Sequence, residues 1–283
     1  MAVRRGPGAQ PPLRLTRIRV YPLKGAAGCD LSETGLDDFG IPGDRRWMLA
    51  KPDGQFLSQR THPRLCLVRA APVEGIRFTL EAPGMDPFDL APAPSDVWTE
   101  VQLHKDRFSA LAGYDEANRW FSDFLRAPCQ LVFIPEEVRR PVDPEWAPGH
   151  RVSLADGYPL HVTTEESLRE ANRKLSPKTT MLSYRPNLVL AGGMPWEEDE
   201  WRVLEIGGVR VRLVKPCARC TVITVDPVTG VRGREPLRGL KGFRYWEGKV
   251  YFGQNAVFEG TGRFRVGEDV HILERGSRRP PLP

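Results

Sequence analysis

The chain has 283 residues, of which 27% are charged and 40% hydrophobic; this is enough for one large core or two modest ones, and we expect two domains. The net charge of +5 is mild, and no run of Lys and Arg is interleaved with aromatic residues, which argues against a nucleic-acid partner. No stretch approaches about 18 uninterrupted apolar residues, which argues against a membrane span.

The glycine, proline and cysteine contents narrow the class of protein further. The 27 glycines and 27 prolines favour short strands joined by turns, so the predicted fold class is mainly β, or α+β with a few helices. The five cysteines are irregularly spaced and odd in number, unlike a secreted disulfide framework. No apolar segment follows Arg4 and Arg5, so no secretion signal is expected. We therefore predict a cytoplasmic protein.

The first predicted strand leads to a lysine and a glycine. Residues 13–21 alternate apolar and basic side chains, as a half-buried strand does, and Pro22, Leu23, Lys24 and Gly25 follow. The glycine would let the backbone approach a ligand closely. Lys24 is a candidate phosphate contact, although a solvated charge is the more common role of a lysine at a strand end.

A β-hairpin and a helix dominate the rest of the first half. An Asp-Gly turn at residues 53–54 joins predicted strands at residues 47–50 and 55–59. A helix is predicted at residues 115–126, with Asp115 as its N-cap and an aromatic face that packs into the core. The other predicted elements are strands at residues 65–70, 76–80, 97–103 and 130–134 and a proline-rich loop at residues 81–96.

Two arginines are predicted to begin the first strand of that hairpin. Because successive side chains of a strand point to opposite faces, either Arg45 or Arg46 must point inward. A buried guanidinium needs an anionic partner, which is either a carboxylate such as Asp44 or a bound phosphate. The sequence leaves both partners open.

The second half is predicted to form a small closed barrel with a helix near its start. A charged, proline-rich linker at residues 135–150 would separate it from the first domain. Thr163 and Glu166 have the spacing of a capping box, which predicts a helix that begins there and ends near Lys174. The predicted domains are residues 13–134 and 151–275. Strands are predicted at residues 188–191, 203–206, 209–213, 251–257 and 263–273.

A proline-stiffened corner presents an arginine and an asparagine before an apolar strand. Arg185, Pro186 and Asn187 immediately precede residues 188–191, so a guanidinium and an amide project from one rigid segment. Asn187 either contributes to a binding site or hydrogen-bonds only to local backbone, which is a common role of asparagine in turns.

A single Cys-x-x-Cys pair, Cys217 and Cys220, precedes β-forming residues 221–225. Lys215 and Arg219 would favour thiolates, and thiolates bind transition metals. One pair supplies only half of a tetrahedral zinc site, and a following strand does not suit a thioredoxin-like dithiol. On spacing alone we favour two buried, unreactive cysteines, because free cysteine is among the most buried residue types. A metal-ligand loop is the alternative.

Six separated motifs together resemble one known family. They are VYPLKG near the start, GDRRW at residues 43–47, YRPNLVL at 184–190, KPCARCTVITVDPVTG at 215–230, a following REPL and a late FGQNAV. In this order they are similar to the MOSC (molybdenum cofactor sulfurase C-terminal) family with its N-terminal β-barrel domain. Within that family the pattern resembles the mitochondrial amidoxime reducing components and their bacterial relatives. The resemblance covers about residues 15–273.

The resemblance implies a molybdenum cofactor, Mo-molybdopterin, whose metal is bound by one protein thiolate. That metal ligand and catalytic residue falls on Cys220. The resemblance also assigns cofactor contacts to Lys24, Gly25, Arg45, Gly157, Tyr158, Arg185, Asn187, Ala218 and Arg219. The chain departs from the pattern at Gly25, where relatives have a serine, and at residues 156–158, where Asp-Gly-Tyr lacks a small hydroxyl.

The implied activity is the two-electron removal of oxygen from small N-hydroxylated compounds. Because no cysteine follows Cys220, electrons are expected from a separate ferredoxin-, flavoprotein- or cytochrome-type protein. Asp156 is a candidate proton donor, or else a capping or turn carboxylate. The alternative function is a non-catalytic carrier of the cofactor, or of persulfide sulfur on Cys217 or Cys220. A pyridoxal phosphate enzyme is a weaker idea, because no lysine lies in a recognisable Schiff-base context.

Overall fold

Strands predominate in the computed structural model, which describes residues 12–92 and 96–281. In the first half the elements are β1 (Arg14–Val20), β2 (Cys29–Leu31), β3 (Glu33–Gly35), β4 (Trp47–Ala50), β5 (Arg69–Glu74), β6 (Arg77–Glu81), β7 (Phe88–Leu90), β8 (Trp98–Leu103), β9 (Asp106–Leu111), α1 (Asp115–Leu125) and β10 (Gln130–Phe133). In the second half they are β11 (Leu160–Thr164), α2 (Glu165–Lys174), α3 (Met181–Tyr184), β12 (Leu188–Ala191), β13 (Trp201–Ile206), β14 (Val209–Arg219), α4 (Leu237–Lys241), β15 (Tyr245–Trp246), β16 (Lys249–Glu259), β17 (Arg263–Arg265) and β18 (Val270–Arg275). The predicted mainly β fold class is confirmed.

The largest sheet closes on itself. Its strand order is β18, β13, β14, β16, β11, β12, β1 and β2, with β15 paired to β16. All of its pairs are antiparallel except β11 with β12. The Leu15 N–H donates to the Glu268 carbonyl at 3.0 Å, and the Val270 N–H donates to the Leu13 carbonyl at 2.8 Å. These bonds join the start of β1 to the start of β18, so a strand from the first half completes the barrel.

The long strand β14 positions the cysteines. Its alternating sequence pairs with β16 along most of its length, and two register shifts fall at Leu213–Lys215 and Pro216–Ala218. Such bulges bend a strand and change the direction of its side chains. The strand therefore changes direction just as it reaches Cys217.

Smaller sheets and helix α1 cover the barrel. They are the sheet β4-β10-β9-β8, the sheet β5-β6-β7 and the pair β17-β3. Helix α1 buries Trp120, Phe121 and Phe124, as its aromatic periodicity predicted. Buried side chains from both halves share one apolar cluster, and Trp47 and Trp201 are among its fully buried members. The division into domains stays a prediction.

Several local predictions were wrong, because local hydrogen bonds determined where elements begin. Residues 55–59 make only isolated bridges instead of a strand, although the turn before them is present. Residues Pro63–Leu67 form a 3₁₀ helix before β5. Helix α2 is capped by Thr164, whose hydroxyl accepts the Ser167 N–H, and not by the predicted Thr163.

Other differences concern loops and helix ends. Asp115 is the first residue of α1 rather than its N-cap. The proline-rich loop predicted at residues 81–96 contains β7, and its residues 93–95 lie outside the described part of the chain. Strand β9 was not predicted. Among the described residues, no helix has both the length and the apolar character needed to cross a membrane.

Candidate functional site

Loop segments from both halves of the chain meet around Asn187, which is 1% exposed. Its side-chain oxygen accepts hydrogen bonds from Arg45 Nη1 and from the His161 N–H, both at 3.2 Å. Its side-chain nitrogen donates to the Arg19 carbonyl at 3.1 Å. These partners are distant in sequence, so the interpretation that Asn187 bonds only to local backbone is wrong.

Arg45 connects a buried carboxylate to the corner before β12. Its Nη1 lies 2.6 Å from Asp44 Oδ2, and its Nη2 donates to the Arg185 carbonyl at 3.3 Å. Asp44, one of the two predicted partners, is therefore present. Arg46 is also buried, and its Nε donates to the Ile134 carbonyl at 2.9 Å. The expectation that only one of the two arginines points inward is wrong, because β4 begins after Arg46.

The ring of Tyr21 lies against two guanidinium groups. Arg45 Cζ is 4.4 Å from the ring centroid and Arg185 Cζ is 4.3 Å from it. The Tyr21 hydroxyl donates to the Pro186 carbonyl at 3.1 Å, and burial raises the pKa of the phenol. Aromatic faces attract guanidinium groups, so Tyr21 holds both arginines side by side. Sequence analysis did not identify Tyr21, although it precedes the Pro-Leu-Lys segment.

Lys24 is buried beside an acidic residue of the second half. Its Nζ lies 2.5 Å from Asp156 Oδ1, so the solvated role considered for this lysine is wrong. Burial lowers the pKa of Lys24, and the Asp156 charge opposes that effect. His104 Nε2 lies 3.2 Å from the same Asp156 oxygen, and no sequence pattern pointed to this histidine.

The side chain of Asp156 is exposed, although other residues lie close to it. Its side chain is 66% exposed, so a ligand can reach the carboxylate from outside the protein. Burial would raise the pKa of Asp156, but the charges of Lys24 and His104 hold it well below its usual value. The carboxylate is therefore ionised at neutral pH. It is neither a helix cap nor suited to donate a proton.

The second cysteine of the pair lies just beyond the end of β14. The Cys220 carbonyl accepts the Ile223 N–H at 3.2 Å, and the Thr224 hydroxyl donates to the Thr221 carbonyl at 2.8 Å. These bonds turn residues Thr221–Thr224 into a 3₁₀ helix, so the strand predicted at residues 221–225 is wrong. Both cysteines are half-buried, which differs from the fully buried pair favoured on spacing alone.

Arg219 contacts the first cysteine. Its Nη1 donates to Cys217 Sγ at 2.9 Å and its Nη2 donates to the Tyr184 carbonyl at 2.8 Å. Burial nevertheless raises the pKa of Cys217, although the Arg219 charge opposes it. Lys215 lies 3.8 Å from Asp143 instead. The expectation that Lys215 and Arg219 ionise the pair is therefore wrong for Cys217.

The remaining predicted site residues are three small residues and a tyrosine. Gly25 has a φ of +88°, and its carbonyl accepts the Gln59 side-chain amide at 2.5 Å. Gly157 has open space where a Cβ would lie, and Ala218 is exposed. The ring of Tyr158 packs beside the buried apolar cluster that contains Val142 and Val214. Of these four positions, Gly25 and Gly157 directly adjoin the Lys24–Asp156 pair in sequence.

The site contains more buried positive charge than its carboxylates neutralise. Arg45 pairs with Asp44 and Lys24 pairs with Asp156, but within the described residues neither Arg185 nor Arg219 makes a salt bridge. Burial lowers the pKa of Arg185 to about 10, and the Arg45 charge adds to this effect. Arg219 Nε is buried without a partner in the described part of the chain. Uncompensated buried cations are costly, so this arrangement favours an anionic ligand.

A metal held by protein groups alone does not fit this site. Across residues 12–92 and 96–281, no group of three or more His, Cys, Asp or Glu side chains is arranged to hold a metal ion. A metal at Cys220 would need further ligands from another molecule. This requirement and the excess of cations point to the same kind of ligand, an anion that brings its own metal donors.

The chain is similar to two known domain families and to several named proteins over most of its length. Residues 13–128 match the MOSC N-terminal beta barrel domain and residues 149–271 match the MOSC domain. Mitochondrial amidoxime reducing component 2 of Rattus norvegicus is 33% identical over 285 residues, covering 92% of this chain and 83% of the relative. Mitochondrial amidoxime-reducing component 1 of Homo sapiens is 33% identical over 282 residues, covering 92% and 82%.

This chain belongs to the MOSC family of the amidoxime reducing components. A more distant relative is the molybdenum cofactor sulfurase of Solanum lycopersicum, 27% identical over 295 residues, which cover 93% of this chain and 36% of that protein. The resemblance seen in the sequence motifs is therefore confirmed. The motifs VYPLKG, GDRRW, YRPNLVL and KPCARC of this MOSC protein meet in space around Asn187 and Tyr21.

A molybdenum cofactor fits the residues of this MOSC protein. The phosphate of such a cofactor would be an anion for Arg185 and Arg219, which have no carboxylate partner among the described residues. The open position at Gly157 would let a flat ring approach the backbone. Cys220 is only half-buried, so it is accessible to a bound ligand. Three independent features therefore suit one polyanionic, metal-bearing ligand.

Proposed function

We propose that this MOSC protein is a molybdenum-cofactor-dependent reductase of small N-hydroxylated compounds, located in the cytoplasm. The observation that carries the proposal is the pair of half-buried guanidinium groups, Arg185 and Arg219, that lack a carboxylate partner within the described residues; Arg219 lies in the cysteine loop itself. The names of the amidoxime reducing relatives support the reaction. All five cysteines are free in the described part of the chain, which supports a reducing compartment.

Each proposed site residue has a specific task in binding the cofactor. Lys24, Arg45, Arg185 and Arg219 neutralise its anionic groups, and Asn187 fixes the position of Arg45. Gly25, Gly157 and Ala218 offer backbone groups, and Tyr158 stiffens the loop beside them. Cys220 is the proposed metal ligand. Groups around a metal ligand orient it, and here the hydrogen bond from Arg219, the residue before Cys220, to the Tyr184 carbonyl holds the cysteine loop in place.

The proposed reaction breaks the N–O bond of the substrate. An N-hydroxylated compound, two electrons and two protons give the reduced nitrogen compound and one water molecule. When bound, the cofactor supplies the two-electron chemistry of this oxygen removal. His104 is better placed than Asp156 to carry a proton, because Asp156 is ionised in its pair with Lys24. A separate ferredoxin-, flavoprotein- or cytochrome-type protein supplies the electrons.

An activity assay with a small-molecule electron donor tests the proposal. Protein made in a host that synthesises the cofactor is given benzamidoxime and reduced methyl viologen, and benzamidine is measured. We expect turnover that depends on molybdenum and that falls at least about 100-fold in Cys220→Ala, because its metal ligand is removed. Molybdenum-loaded protein that reduces no N-hydroxylated compound would disprove the proposed activity.

A carrier of cofactor or sulfur is the second candidate, favoured by the match to the molybdenum cofactor sulfurase. A persulfide on Cys220 would replace the metal bond, and the Arg219 guanidinium beside Cys217 would stabilise an anionic sulfur. Mass spectrometry of the purified protein separates the two functions. Stoichiometric persulfide without molybdenum would favour the carrier, and molybdenum without persulfide would favour the reductase.

A further inference from the structure

Exposed cations surround the segments that carry Cys220. We name this surface the basic rim and define it by its members Arg64, Arg232, Arg234, Arg238 and Lys241, all of which are exposed. None of these five makes a salt bridge within residues 12–92 and 96–281. The rim is thus an uncompensated positive surface on a chain whose net charge is only +5.

Two carboxylates close in sequence to the rim, Asp226 and Glu235, accept hydrogen bonds from nearby backbone N–H groups. Asp226 Oδ1 accepts the N–H groups of Val228 and Thr229 at 2.9 and 2.8 Å. Glu235 Oε2 accepts the Gly239 N–H at 2.8 Å, at the start of α4. Neither carboxylate makes a salt bridge among the described residues. The five cations of the rim outnumber these two carboxylates, so the surface keeps a positive charge that attracts an external anionic surface.

Hydrogen bonds fix the rim beside the cysteine loop. Arg232 donates to the carbonyls of Gln59 and Arg60, and Cys66 Sγ lies 3.5 Å from the Asp226 carbonyl. The Gly233 N–H, next to Arg232 and Arg234, donates to the Thr224 carbonyl at 2.8 Å. This bond joins the rim segment to the 3₁₀ helix Thr221–Thr224, which directly follows Cys220.

The rim also contains exposed apolar side chains. Val228 and Val231 are 67% and 65% exposed, and Tyr245 is 43% exposed. Lys241 lies 5.0 Å from the Tyr245 ring centroid, and Arg64 lies 4.8 Å from that of Phe124. Arginine and tyrosine are enriched in protein interfaces. Isolated apolar side chains among unpaired cations suit a protein partner with an acidic surface.

We propose that the basic rim is the docking surface for a small, acidic electron-transfer protein, which places its redox centre next to Cys220. This inference rests on the proposed function, because a reductase that receives electrons from a separate protein needs such a contact. Charge complementarity would steer the partner to the rim and raise the association rate. The exposed apolar residues at the centre would supply short-range contacts.

Two variants with equal changes in net charge test the docking surface. The first is Arg234→Glu with Arg238→Glu in the rim. The control is Arg77→Glu with Arg210→Glu, two exposed cations without salt bridges among the described residues and outside the rim. Arg210 lies near the start of β14, at the opposite end from Arg219, about 30 Å away for a strand of this length. Both variants are made in the full, cofactor-loaded protein.

Electron transfer is measured with three donors: a reduced plant-type [2Fe–2S] ferredoxin, a reduced flavodoxin and reduced methyl viologen. We expect the rim variant to lose about tenfold or more in kcat/KM with the two acidic proteins, and to keep its rate with viologen. The control variant should match the wild type with all donors. Equal losses in both variants, or no loss in the rim variant, would overturn the proposal.

Direct binding separates this inference from the proposed activity. The ferredoxin is titrated into the protein by calorimetry at low and high salt, which requires no turnover. Binding that weakens with salt and in the rim variant supports the docking surface, even if benzamidoxime is not reduced. The docking surface is disproved if neither ferredoxin nor flavodoxin binds. It is also disproved if an oligonucleotide binds the rim and the two proteins do not.

Discussion

Arg45 Nη1 donates to Asn187 Oδ1 at 3.2 Å, across 142 positions of the chain. This bond joins the turn before β4 in the first half to the corner before β12 in the second. Tyr21, on the other side, contacts the guanidinium groups of Arg45 and Arg185. Neither half can build the anion-binding cluster alone, so we expect cofactor binding and correct packing of the two halves to depend on each other.

Arg45 and Arg185 should differ in their effect on the stability of the cofactor-free protein. Arg45→Met leaves Asp44, which is 1% exposed, without its charged partner and should lower the free energy of unfolding by about 3–5 kcal/mol. Arg185→Met removes a guanidinium that donates to the Ala26 carbonyl and lies over the Tyr21 ring. No carboxylate of the described residues loses its partner, so we expect the free energy of unfolding to change by no more than about 1 kcal/mol. Urea unfolding of the cofactor-free variants measures both.

Cofactor content gives the second half of that comparison. Both arginines face the proposed anion. When made in a cofactor-producing host, each variant should therefore contain about one tenth of the wild-type amount of pterin or less. A tenfold loss corresponds to about 1.4 kcal/mol of binding free energy. Pterin fluorescence after oxidative release measures it. Normal pterin content in Arg185→Met would contradict the assigned role of Arg185.

Gly157 offers a substitution that should affect the ligand and not the fold. A Cβ at Gly157 would meet no atom within 4 Å, and the same is true of Gly35 in β3, which serves as the control. Neither residue has a positive φ, so alanine strains neither backbone. We expect Gly157→Ala and Gly35→Ala to unfold at the wild-type temperature, and only Gly157→Ala to retain less cofactor.

Loss of stability in Gly157→Ala without any change in cofactor content would show that this loop serves the fold alone. Equal cofactor content in all three proteins would remove Gly157 from the proposed site.

Glu198 should make stability depend on pH. It is fully buried, its Oε2 accepts hydrogen bonds from Thr164 and Ser167, and Oε1 has no partner among the described residues. Burial and the neighbouring Asp199 charge raise the pKa of Glu198. The folded protein then keeps a proton that the unfolded chain loses above about pH 4.3, so this group destabilises the fold increasingly as pH rises through its folded pKa.

The variant Glu198→Gln removes that titration. From pH 5 to pH 8 its free energy of unfolding should increase by about 1–3 kcal/mol relative to that of the wild type, because the wild type alone is destabilised by ionisation of Glu198. Urea unfolding at four pH values measures the difference, with Glu74→Gln on exposed β5 as the control. A difference that does not vary with pH would mean that Glu198 has the same pKa in both states.

Local periodicity was sufficient to predict much of the fold. The aromatic face of α1, the corner before β12 and the hairpin of β13 and β14 all follow from side-chain spacing. The failures occur where a few hydrogen bonds override β propensity, as in Thr221–Thr224, where the Cys220 carbonyl accepts the Ile223 N–H. The inclusion of β1 in the barrel depends on pairing with β12, which no local pattern encodes.

The site was predictable only in part. Motif resemblance selected Lys24, Arg45, Arg185 and Asn187, which the structure brings together or into neighbouring contacts. It could not reveal the Asp156–His104 contact, because those residues lie 52 positions apart in otherwise unremarkable loops. The charges of Lys215 and Arg219 suggested thiolates at both cysteines, whereas burial outweighs the Arg219 charge at Cys217. Long-range contacts and desolvation are properties of the folded chain.

The molybdenum content of two single-cysteine variants tests the central claim most directly. Wild type, Cys217→Ala and Cys220→Ala are produced in the same cofactor-competent host and analysed for molybdenum per chain, with a folded circular dichroism spectrum as a requirement. The account predicts near-stoichiometric molybdenum in wild type and Cys217→Ala, and its loss in Cys220→Ala. Molybdenum retained at the wild-type level in Cys220→Ala would contradict the account.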